Sequence, residues 1–222
     1  MSAREQIASA RLYLVTDARS DGRPPGRREL RMFLDAALGG GVDVIQLRDK
    51  RLDHGALMDA AAVFREAADA AGALFVLNDR PDLVDRCRAD GVHVGQDDGS
   101  VRAARAAVGE ERIVGRSTHA PDQGAAADAD HDVDYLAVGP VHATPTKPGR
   151  PAAGLGYVAW AAANVTTPWF AIGGLDAGNV AAAVACGARR IVVVRAIAEA
   201  ADPAAAARAL REQLEVPVGT QS

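Results

Sequence analysis

Eight short apolar runs, alternating with helix-compatible segments, constrain this chain more than any other feature. The runs cover residues 12–15, 42–47, 74–77, 92–94, 113–114, 135–138, 169–172 and 191–194. Those at 74–77 and 92–94 are bounded by Gly, Pro and Asp, which is how strands of a parallel sheet read when both faces are covered. Between the runs, residues 28–38, 56–71, 101–108 and 179–186 are rich in Ala and repeat apolar residues at helical spacing. Eight strand–helix units in 222 residues predict an α/β fold, a compact (β/α)8 TIM barrel, because right-handed crossovers between parallel strands close naturally at eight. An open doubly wound sheet is the alternative. Against a dinucleotide site, no GxGxxG follows the first run, where Thr16 and Asp17 lead into a Gly/Pro-rich segment at 20–26, expected to be a mobile surface loop.

With 49% hydrophobic residues and no Ser- or Pro-rich linker, residues 1–222 suit one barrel domain with short flexible termini. The balance of 25 Lys+Arg against 29 Asp+Glu offers no basic field, so nucleic acid is not an expected partner. No apolar run approaches the roughly 20 residues needed to span a bilayer, and the first apolar segment is too short for a signal peptide. The expectation is a cytoplasmic protein with no membrane partner. Homo-oligomerisation is compatible with all of this and is left open. Cys87 and Cys186, far apart and each inside a predicted helix, read as packing residues rather than as a disulfide or a zinc knuckle.

In such folds ligands bind where strands end, at the carboxyl edge. Asn78 and Asp79 follow the third run, and Gln96, Asp97 and Asp98 follow the fourth. Turn formation and helix capping would account for any one such loop, so the case for a site rests on repetition. The second run ends Gln46-Leu47-Arg48-Asp49-Lys50, and the strand period places Gln46, Arg48 and Lys50 on one side. Ser117-Thr118-His119 after the fifth run can donate to a phosphate or cap a helix starting near Pro121. The sixth run leads into an irregular loop at 139–149 that contains Thr144, Pro145, Thr146 and Lys147, and loops of this length in compact barrels are usually functional. After the seventh and eighth runs, Ile172-Gly173-Gly174 and Val194-Arg195 read as a turn or as a phosphate cup of backbone N–H groups. One rim would then present Asp79 and Asp98 as hard oxygen ligands suited to Mg2+, with Arg48, Lys50 and Lys147 as cations for anionic groups.

These motifs, in this order and over most of the chain, resemble the thiamine-phosphate synthase (thiamine-phosphate pyrophosphorylase) family. The strongest are Gln46-Leu47-Arg48-Asp49-Lys50, Asn78-Asp79, the stretch at 90–98, the stretch at 134–140 with Thr144 to Lys147, and Ile172-Gly173-Gly174. The resemblance implies that Gln46, Arg48, Lys50, Asn78, Ser117 and Lys147 bind hydroxymethylpyrimidine diphosphate, and that Leu47 and Asp49 between them belong to the substrate-binding stretch. It also implies that Asp79 and Asp98 bind Mg2+, and that Thr144, Pro145, Thr146, Gly174, Val194 and Arg195 bind thiazole phosphate. Arg48, Lys50, Lys147 and Ser117 are the residues it makes catalytic. Two positions depart from the family pattern. Asp49 stands where Glu is common, and Arg195 replaces a common Ser, so that a phosphate contact there comes from backbone N–H or from the guanidinium itself.

The implied activity is a transferase reaction in which the pyrimidine methylene is joined to the thiazole nitrogen with loss of pyrophosphate, and of CO2 where the thiazole is carboxylated. It needs no protein nucleophile; the work is stabilisation of departing charge and positioning of the thiazole. Two other readings remain. A thiazole tautomerase-like relative would share the barrel and need proton transfer instead of a diphosphate site, and a non-catalytic phosphate-binding barrel would bind without turnover. His93, inside an apolar run, and His54, at a helix start, are expected to be structural. The segments at 20–26 and 144–156 are the candidates for closing over the site.

Overall fold

The computed structural model describes residues 1–19, 26–96, 98–143 and 151–215. Helix α1 (Ala3–Ser9) precedes strand β1 (Leu12–Thr16), followed by α2 (Arg27–Gly39), β2 (Val44–Leu47), α3 (His54–Ala71) and β3 (Leu74–Asn78). A 3-10 turn at Pro81–Leu83 runs into α4 (Val84–Cys87), then β4 (Gly91–Val94), α5 (Val101–Val108), β5 (Ile113–Thr118), α6 (Pro121–Asp128) and β6 (Tyr135–Val138). The chain ends with α7 (Gly154–Asn164), β7 (Trp169–Ile172), α8 (Val180–Ala185), β8 (Ile191–Val193), α9 (Arg195–Ala198) and α10 (Pro203–Glu215). Each strand pairs in parallel with the next, and β8 returns to β1, so the sheet closes into the expected eight-stranded barrel.

Strand alternation divides the apolar residues into two cores. One residue of each pair, such as Leu14, Leu47, Phe75, Val92 and Leu136, faces outward and packs under the helices. The other, such as Tyr13, Val15, Val44, Val76, Tyr135, Phe170 and Val192, faces inward and fills the barrel. Both sets are buried, which is why the runs carry no polar alternation. Gly115 belongs to the inner set because the Tyr135 ring lies where its side chain would be; a Cβ there would stand 2.1 Å from Tyr135 Cζ.

Three differences from the expected elements have local causes. Helix α1, unexpected from the sequence, starts at a capping box between Ser2 and Glu5 and inserts Ile7 into the inner core, closing the N-terminal mouth. Strand β5 extends through Thr118, because Gly115–Thr118 pair with Tyr135–Val138 through the backbone whatever their side chains. Strand β2 starts at Val44, since Val42 N–H still bonds back to Ala37 in the turn that ends α2.

The N-terminal edge is pinned by carboxylates. Asp43 accepts from the backbone N–H of Arg11 and Leu12, Asp90 from Phe75 and Asp134 from Val114, each also holding a guanidinium, of Arg211, Arg65 and Arg105 respectively. These staples bind strand to strand at the face away from the cavity, where a barrel invests in stability. Cys87 is buried with its thiol 3.5 Å from Met58 Sδ, and Cys186 follows the end of α8; both are free. Among the described residues no helix is long and apolar enough to cross a membrane.

Candidate active site

A cavity of about 340 Å³ opens at the carboxyl ends of the strands. Its floor and walls are the inward residues of successive strand ends, Val15, Gln46, Asn78, His93, Ser117, Ala137, Ile172 and Val194, with Arg48, Gly174 and Arg195 at the rim. A wider cavity adjoins it and shares Arg48 and Arg195; Asp49 and Lys50 line that second space.

The period that brings Gln46 inward turns Leu47 outward, where it is 1% exposed and packs under the helices. Its side chain therefore does not reach the cavity. Asp49 follows as a tie between loops, accepting from the backbone N–H of Ala18 and Arg51 and from Arg51 Nε. Burial pushes its pKa up, but the Arg51 bonds outweigh burial and hold the carboxyl below its ordinary value. A Glu at this position would have to fit the same ties.

Lys50 identifies the point on which the two candidate metal ligands converge. Its ammonium lies 3.4 Å from Asp79 Oδ2 and 3.6 Å from Asp98 Oδ1. Asp79 reaches that point from the left-handed region, φ 58°, which Asp tolerates better than most residues. Its backbone N–H donates to His93 O, and Asn78 Nδ2 donates to its carboxylate at 2.5 Å. The turn carrying Asp98 is fastened from β5: Arg116 donates to Gly95 O at 2.7 Å and to Gly99 O at 3.1 Å, and Gln96 Nε2 donates to Ser117 O.

Two carboxylates that already share one cation fit a divalent ion. Among the described residues no group of three or more His, Cys, Asp or Glu side chains could hold a metal. That donor set matches Mg2+ and not structural zinc.

At the fifth strand the structure separates neighbours that the sequence reading grouped. Ser117 faces the cavity, whereas the Thr118 hydroxyl donates to Ala137 O and accepts from Tyr157 OH on the outer side. Neither caps α6, whose N-cap is Ala120 with Pro121 in the first turn. His119 contacts Gly139 O through Nδ1. His93, expected from the sequence to be structural, lies in the cavity wall, bonded to Tyr135 and Ser117.

Tyr13 and Tyr135, which the sequence reading did not single out, form the polar floor with Gln46. The available signal was their phase: each shares the inward register of its strand, and a buried phenol needs a partner.

On the opposite side, Gly173 and Gly174 turn away from β7 at φ 107° and 65°. A Cβ at Gly174 would stand 2.8 Å from His142 Cβ, so the residue is required by both backbone and space. Arg195 begins α9 and is exposed at the rim. Thr144, Pro145, Thr146 and Lys147 lie outside the described residues, as do residues 20–25 and Asp97.

Comparison with known proteins shows the family and the fold. A family model described as thiamine monophosphate synthase matches residues 12–197. The thiamine-phosphate synthase of Thermobifida fusca is 55% identical over 212 residues, 95% of each chain. That of Streptomyces avermitilis is 49% identical over 214 residues, 96% of this chain and 97% of the relative. Among solved structures, thiamine phosphate pyrophosphorylase from Pyrococcus furiosus superposes with a TM-score of 0.82 at 27% identity, covering 96% of this chain and 97% of the other.

Proposed function

Since the chain belongs to the thiamine monophosphate synthase family and is a transferase of thiamine biosynthesis, we propose that it joins hydroxymethylpyrimidine diphosphate to thiazole phosphate or its carboxylated form. Pyrophosphate leaves, with CO2 when the thiazole is carboxylated. The observation that carries this reading is the convergence of Asp79 and Asp98 on one cation position beside the cavity. Those two residues would hold Mg2+, which when bound supplies charge neutralisation to the departing diphosphate.

The rest follows from the chain's own residues. The C–O bond of the pyrimidine methylene breaks and its electron pair leaves on the diphosphate, while the aminopyrimidine ring delocalises the cation. Arg48 and Lys50 bring positive charge to the leaving oxygens, and Asn78 and Ser117 bring donors, so that stabilisation grows as charge develops. Gln46, which lines the cavity floor, would bind the pyrimidine ring. Val15, Ala137, Ile172 and Val194 keep that wall apolar, which limits capture of the cation by water before the thiazole nitrogen forms the new C–N bond. Gly174, Val194 and Arg195 would hold the thiazole phosphate by main-chain N–H groups. Thr144, Pro145 and Thr146 are assigned to that same site by resemblance alone, and Lys147 to the diphosphate on the same basis.

The test is an assay with both substrates and Mg2+, scored by pyrophosphate release and by the coupled product. Turnover that requires all three supports the reading. Thiazole isomerisation without pyrophosphate release would replace it with a tautomerase-like activity, and binding without turnover would replace it with a non-catalytic barrel.

A further inference from the structure

Beneath the cavity, five side chains from five strands form one continuous hydrogen-bond chain. Gln46 Nε2 donates to Tyr13 OH at 2.6 Å, and the Tyr13 and Tyr135 hydroxyls are 3.0 Å apart. His93 Nδ1 lies 3.1 Å from Tyr135 OH, and His93 Nε2 lies 2.9 Å from Ser117 Oγ.

Burial sets the direction of this chain. Tyr13 and Tyr135 are 1% and 0% exposed, so each phenol proton needs an acceptor inside the protein. Tyr13 accepts from an amide N–H, which cannot accept in return, so its proton goes to Tyr135. Tyr135 must then pass its own proton bond to His93 Nδ1. With Nδ1 an acceptor, the proton of the neutral imidazole sits on Nε2 and points at Ser117 Oγ. A serine hydroxyl whose oxygen is engaged in this way has its O–H left to donate into the cavity. The opposite tautomer would draw the Ser117 proton back to the imidazole and aim a lone pair at any anion bound there. Desolvation raises the pKa of both phenols, so neither ionises at neutral pH and the order does not reverse.

We propose that Tyr13 and Tyr135 are positioning residues that lock His93 as its neutral Nε2–H tautomer and make Ser117 a one-way donor to an anionic oxygen of the departing diphosphate. This rests on the reading of Ser117 as a diphosphate contact. It adds what that contact alone does not require, a defined proton order running through five strands.

The experiment combines nitrogen NMR of the His93 ring in the full-length, substrate-free protein, assigned by loss of signal in His93→Gln, with steady-state kinetics. The wild-type ring is expected to carry its proton on Nε2. Tyr135→Phe keeps the ring that packs edge-on against Phe170 and removes only the hydroxyl, which donates to His93 and accepts from Tyr13. It should introduce the second tautomer and lower kcat roughly tenfold, with the thiazole-phosphate KM unchanged. Tyr13→Phe leaves the Tyr135 donor in place but removes the proton that occupies the Tyr135 oxygen, so the second tautomer should appear to a smaller extent and kcat should fall less. An unchanged kcat in Ser117→Ala would remove the diphosphate contact and this proposal with it. A loss in Ser117→Ala combined with a wild-type proton on Nδ1, or with wild-type kcat or an unchanged tautomer in Tyr135→Phe, would overturn the proposal alone.

Discussion

Replacing Lys50 by Ala should change metal affinity and rate in opposite directions. The Lys50 ammonium lies 3.4 and 3.6 Å from the two carboxylates proposed to hold Mg2+, so in the absence of diphosphate it would compete with the ion for the same oxygens. Its side chain is 57% exposed, which puts each attraction in the range measured for solvated pairs, about 0.2–1 kcal/mol. Two such pairs amount to about 0.4–2 kcal/mol, or roughly a two- to thirtyfold gain in Mg2+ affinity when the ammonium is removed. Asp98→Asn removes a ligand charge and should shift affinity the other way. In the proposed reaction, however, the ammonium is needed on the leaving group. Losing a charge-assisted bond of about 1.5–3 kcal/mol should lower kcat by roughly ten- to a hundredfold. Calorimetric Mg2+ titration without diphosphate, at low and high salt, reads the first effect, and steady-state rates at saturating Mg2+ read the second. The salt series matters because the gain should shrink as the exposed pairs are screened. Weaker or unchanged Mg2+ binding in Lys50→Ala would refute the reasoning, since the ammonium would not then be standing where the ion binds.

Other outcomes follow from single contacts. Arg116→Ala releases the turn that carries Asp98 from Gly95 and Gly99, and should raise the Mg2+ concentration for half-maximal rate roughly tenfold, read by metal titration of activity. Asp134→Ala strands the buried Arg105 guanidinium and frees the Val114 N–H, so denaturant melts should show a loss of about 3–5 kcal/mol. Gly174→Ala forces a side chain into a left-handed position against His142; thermal unfolding should show a loss of at least about 1–2 kcal/mol, and kinetics a raised thiazole-phosphate KM. Arg195→Ser should leave that KM little changed if the phosphate is held by main-chain N–H groups, and a large rise would assign the contact to the guanidinium.

The eight apolar runs determined a parallel α/β sheet and favoured the barrel, because burial on both faces and right-handed crossovers leave few arrangements for eight such strands, while the pairing of β8 with β1 decided against the open sheet. Alternation within a strand was equally legible: Gln46 inward and Leu47 outward follow from a period of two. The placement of Asn78, Asp79 and Asp98 at strand ends was a matter of counting. Three other things were decided only in the tertiary structure. Helix α1 packs into the barrel mouth because the closed sheet offers an apolar hole there, which no local pattern in the first residues records. The joining of Tyr13, Gln46, His93, Ser117 and Tyr135 depends on which inward positions face one another across the barrel, a property of strand stagger and closure rather than of any one strand. Lys50 settles between Asp79 and Asp98 because three loops from three strands end within a few ångströms of one point; sequence separation carries no information about that distance, and only the closed ring of strands defines it.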